Sequence, residues 1–182
     1  MKQVALITDA STPLGDQLMR RYLSEGFNVV ATCSEGATID TPVVSEEEDL
    51  LVVDWNRKSP ISAKNVLLTG LNRFDRIDQT LLLLTPELEQ KLLQETAVET
   101  INRAVDVWIK GSLFMIKTVL ELYGQKQKGL LGLINHTPQA ARAVPPPLES
   151  ALRGSFRATA EAIFAGVGQQ NVFVNGFESN SA

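Results

Sequence analysis

The 182-residue chain contains one histidine, His136, and one cysteine, Cys33. A single His and a single Cys exclude a His/Cys zinc site, and no intrachain disulfide can form. For acid–base work the sequence offers His136 with Thr137 beside it. A lone histidine at a strand end is more often a hydrogen-bonded structural residue than a proton shuttle. The other stretch with chemical promise is Thr8-Asp9-Ala10-Ser11-Thr12-Pro13-Leu14-Gly15, between a short apolar run and a helical pattern. Its plainest reading is a helix start: Ser11 or Thr12 caps the helix and Pro13 occupies its first turn.

The elements that hold these residues alternate along the chain. Val4-Ala5-Leu6-Ile7 is a continuous apolar run, as expected of a strand covered on both faces. Leu14, Leu18, Tyr22 and Leu23 recur at helical spacing up to Gly26, a helix-terminating glycine. Strands follow at 27–32, 50–54, 79–84, 129–135 and 171–175. The polar, acidic stretch 35–48 reads as loop. Helices are expected at 59–72, with Ser59 or Ser62 as cap, at 95–123 and at 148–167, after the break of Pro145-Pro146-Pro147. Strands and helices alternating on this period predict an α/β fold: a Rossmann-like doubly wound parallel sheet of about six strands, helices on both faces. Residues 1–182 read as a single domain.

Composition excludes several classes. With 44% hydrophobic and 21% charged residues, the chain is an ordinary globular one. A formal net charge of -4 and the lack of any Lys/Arg stripe argue against nucleic acid as a partner. No run approaches the ~20 apolar residues of a membrane span, and no signal peptide precedes the first strand, so the expected location is cytoplasmic.

In order and spacing, these pieces resemble the short-chain dehydrogenase/reductase (SDR) family over essentially the whole chain. The resemblance rests on Val4–Thr8 with its turn, Val52-Val53-Asp54, Asp106–Phe114, Leu133-Ile134-Asn135, Gly154 and Val172–Asn175. It implies NAD or NADP as cofactor and an oxidoreductase ancestry. The family turn is Thr-Gly-x-x-x-Gly-x-Gly, whose glycines admit the cofactor pyrophosphate at a helix N-terminus. Here Thr8 and Gly15 match, while Asp9 and Pro13 replace the other glycines. Asp9 is expected to set a negative charge beside the pyrophosphate position, and Pro13 removes an N–H. By the same resemblance the candidate cofactor-binding residues are Ser11, Thr12, Gly15 and Asp54, the last near the adenine or else a cap for the next segment. Cys33-Ser34-Glu35, where the family chooses between cofactors, has no base to hold a 2′-phosphate; Glu35 suits a ribose.

The family's catalytic groups are a Ser, a Tyr, a Lys and an Asn. Their positions fall on Pro138, Pro145, Glu149 and Trp108, and residues 136–160 contain neither Tyr nor Lys. No catalytic residue is therefore assigned, and no metal. After the fourth strand, Leu84-Thr85-Pro86 stands where the family has Asn-Asn-Ala-Gly. The usual substrate lid and seventh strand are also expected to be missing. The resemblance thus implies a degenerate SDR homologue, a binding, regulatory or assembly protein. The alternatives are an NAD(P)-dependent oxidoreductase or a nucleotide sensor with an atypical site. The wide apolar surfaces of helices 95–123 and 148–167 predict a homo-oligomer through both, as in the family, with hetero-association with an active relative as a further option.

Overall fold

The computed structural model describes residues 1–33, 48–86, 88–89, 91–126, 128–137, 145–166 and 172–180. The stretch read as loop at 35–48 lies almost wholly outside them, as do Glu35 and Pro138.

Six parallel strands form one sheet in the order β3-β2-β1-β4-β5-β6. They are β1 (Val4–Ile7), β2 (Asn28–Cys33), β3 (Leu50–Asp54), β4 (Gln79–Leu84), β5 (Gly129–Thr137) and β6 (Val172–Asn180). The doubly wound expectation is met. β6 is longer than the expected 171–175, because it pairs with β5 along nine residues, from Val172 opposite Gly129 to Asn180 opposite Thr137.

Alternation along each strand divides the core in two. Val4, Leu6, Val30, Leu82 and Leu133 point to one face, against Ala63, Val66, Met115, Val119 and Phe156. Those partners lie on α2 (Pro60–Phe74), α4 (Gly111–Lys126) and α5 (Pro147–Gly166). Ala5, Ile7, Val29, Ala31 and Leu83 point the other way, onto Met19 and its neighbours on α1 (Pro13–Ser24). All four residues of β1 are fully buried, as its unbroken apolar run requires.

Helix ends follow local chemistry. Ser59 caps α2, its hydroxyl accepting from Ser62 N at 3.3 Å. That settles the cap between the two serines and relieves Asp54 of the role. After α1, Gly26 adopts φ 83°, the left-handed conformation that lets the chain leave the helix. The long helix expected at 95–123 is instead α3 (Val98–Ala104), a wide π turn over Val105–Lys110, and α4. Apolar periodicity cannot register one widened turn. Two buried polar groups tie strands to their neighbours: Thr8 Oγ1 accepts from Leu83 N at 2.9 Å, and the Tyr123 hydroxyl meets Thr80 Oγ1 at 2.9 Å. Burial pushes the Tyr123 phenol well above its ordinary range. No described helix is long and apolar enough to cross a membrane.

Candidate functional site

In an open parallel sheet, ligands bind beyond the carboxyl ends of the strands where the strand order reverses, here between β1 and β4. The first wall is the turn after β1. Asp9 is in the left-handed region at φ 51°, the conformation glycine adopts without strain. Its carbonyl accepts from Thr12 N at 2.9 Å and from the Thr12 hydroxyl at 2.7 Å. Thr12 is the N-cap of α1 and its Oγ1 accepts from Gly15 N at 3.2 Å. Ala10 N donates to Thr32 O at 2.8 Å, fastening the turn to β2. Thus the amides of Ala10, Thr12 and Gly15 are engaged inside the protein, and Pro13 has none.

Gly15 is packed rather than open. A Cβ built on it would lie 2.1 Å from Asp9 O and 2.8 Å from Ala10 Cα. The turn's own backbone fills the space a side chain would need.

The Asp9 carboxylate does not project into the cleft as expected from the sequence. It is fully buried and its Oδ2 contacts Nη2 of Arg57, itself 7% exposed. The correction has a clear physical reason: a buried carboxylate without a partner is costly, and Arg57 supplies the opposite charge. Arg57 comes from the loop between β3 and α2. Its guanidinium is held between two indoles, 4.2 Å from the centre of Trp55 and 4.5 Å from that of Trp108. Trp108 is carried by the π turn, where the resemblance expects an Asn. Gly111 lets the loop approach: a Cβ there would fall 2.8 Å from both Arg57 Cβ and Arg57 O. Arg57 Nη1 and Trp55 Nε1 are buried and have no hydrogen-bond partner. A guanidinium is not deprotonated in proteins, so Arg57 cannot act as a general base.

The opposite wall is the start of α5. Glu149, where the resemblance expects a lysine, is 9% exposed and accepts from Arg153 Nε at 2.8 Å. Arg153 Nη1 donates to Asn135 Oδ1 at 2.8 Å and to His136 O at 2.6 Å. This network pins α5 to the end of β5. His136 is buried there, with its carbonyl engaged as described. We expect Glu149→Leu to cost about 2 kcal/mol, because one of the acceptors around a buried arginine is lost while two remain. Urea unfolding would measure it; an unchanged midpoint would mean the pair is not structural.

Asp54, the remaining candidate, is exposed at the end of β3, opposite Cys33 in the register of β2 and β3. Burial, then the carboxylates of Asp54 and Asp9, push the Cys33 thiol up, so it is a poor nucleophile. Ser11 and Thr12 stand at the head of α1. Among the described residues no three His, Cys, Asp or Glu side chains gather to hold a metal ion. The sequence reading singled out Asp9 and Trp108 but not Arg57 or Arg153. Arg153 carried a signal, a Glu-to-Arg spacing of four on a helix. Arg57 carried only the need of Asp9 for a partner, which points to no particular residue.

No protein-family model matches the chain, and no curated protein matches it. Solved structures do. "ElxO with NADP Bound" superposes with a TM-score of 0.81 at 17% identity, over 99% of this chain and 74% of that one. A 3-ketoacyl-(acyl-carrier-protein) reductase from Brucella melitensis, complexed with NADH, gives 0.79 at 17% identity, over 98% and 75%. Serine dehydrogenase from Escherichia coli gives 0.77 at 16% identity, over 98% and 82%. At these identities the likeness is one of fold.

Proposed function

From a chain that carries the short-chain dehydrogenase/reductase fold, we propose a non-catalytic protein of that type, acting in binding, regulation or assembly. One observation carries the reading: the turn after β1 and the start of α5 each hold a buried ion pair, Asp9–Arg57 and Glu149–Arg153. The amides of Ala10, Thr12 and Gly15 are engaged within the protein, and the positions where the resemblance expects the proton-transfer pair hold a proline and a paired glutamate. Ser11, Thr12, Gly15 and Asp54 serve the turn and the strand end on this reading. On this reading the cleft gives NAD or NADP little to hold. We place the protein in the cytoplasm.

Calorimetric titration with NAD, NADH, NADP and NADPH tests this. Silence up to millimolar dinucleotide is the expected result. Heat at micromolar ligand would overturn it in favour of a sensor or an oxidoreductase.

The assembly half of the reading rests on α4 and α5. Leu113, Ile116, Leu120 and Ile163 line a shallow groove between these helices, and Leu113 is 43% exposed. A second copy laid across this face would bury it. On this reading Leu113→Glu lowers the mass measured by light scattering.

A further inference from the structure

We draw no further inference here: the strongest candidate, the buried side-chain cluster in which Arg57 lies between the indoles of Trp55 and Trp108 with Arg57 Nη1 and Trp55 Nε1 unpartnered, belongs to the site already described, and nothing in the structure shows which acceptor those two donors would take.

Discussion

Replacing Asp9 with alanine should cost about 3–5 kcal/mol of folding stability, because it leaves the Arg57 guanidinium buried and unpaired. The indoles of Trp55 and Trp108 soften that penalty but offer no hydrogen-bond acceptor in the guanidinium plane. Asp9→Gly separates the two contributions. Glycine relieves the left-handed backbone, worth about 1 kcal/mol, yet still strips the charge partner, so a net loss of about 2–4 kcal/mol is expected. Arg57→Met should be comparably harmful, since it strands a fully buried carboxylate. The combination Asp9→Gly with Arg57→Met should lose clearly less than the sum of the two single losses, because neither charge is left stranded. Denaturant unfolding of the four proteins forms a double-mutant cycle. Additive losses would show that the pair does not act as a unit, and the account of the turn as a structural staple would fail.

Gly15→Ala should cost about 4 kcal/mol, at the severe end for a single substitution. The added methyl would sit 2.1 Å from Asp9 O, and that oxygen is fixed by two bonds from Thr12. Neither atom is the tip of a flexible side chain, so the whole turn must move and the Asp9–Arg57 contact must move with it. Gly154→Ala is the matching control. It lies within α5, a Cβ there meets nothing within 4 Å, and it should gain about 0.5–1 kcal/mol from helix propensity. Thermal melts without any ligand make the comparison. If Gly15→Ala melts with the wild type, the glycine is not needed for packing, and a ligand becomes the better reason for it.

These expectations also show how far a reading of residues could go. The strands announced themselves because their residues are apolar in unbroken runs, and β1 and β4 lie where those runs predict. Helix starts were equally legible: Ser59 and Thr12 are capping residues followed by a proline, and both caps form. The long helix was legible as an element but not in its π turn, since widening one turn leaves the apolar content unchanged. The end of β6 was missed because Gly176-Phe177-Glu178-Ser179-Asn180 has no strand pattern of its own. Its backbone is extended by the register with β5.

The sequence by itself determined the order of strands and helices, the likeness to a dinucleotide fold, and the lack of a Tyr–Lys pair where that fold keeps its chemistry. Those follow from residue type and spacing along the chain. Only the tertiary structure decided what Asp9 does. From the turn alone its charge faced an imagined phosphate; in the fold it faces Arg57, 48 positions away. The physical reason is that a buried charge is satisfied by whatever the packing brings alongside it. Nothing in the spacing of Asp9, Trp55, Arg57 and Trp108 foretells that β1, the loop before α2 and a widened turn before α4 will meet at one point.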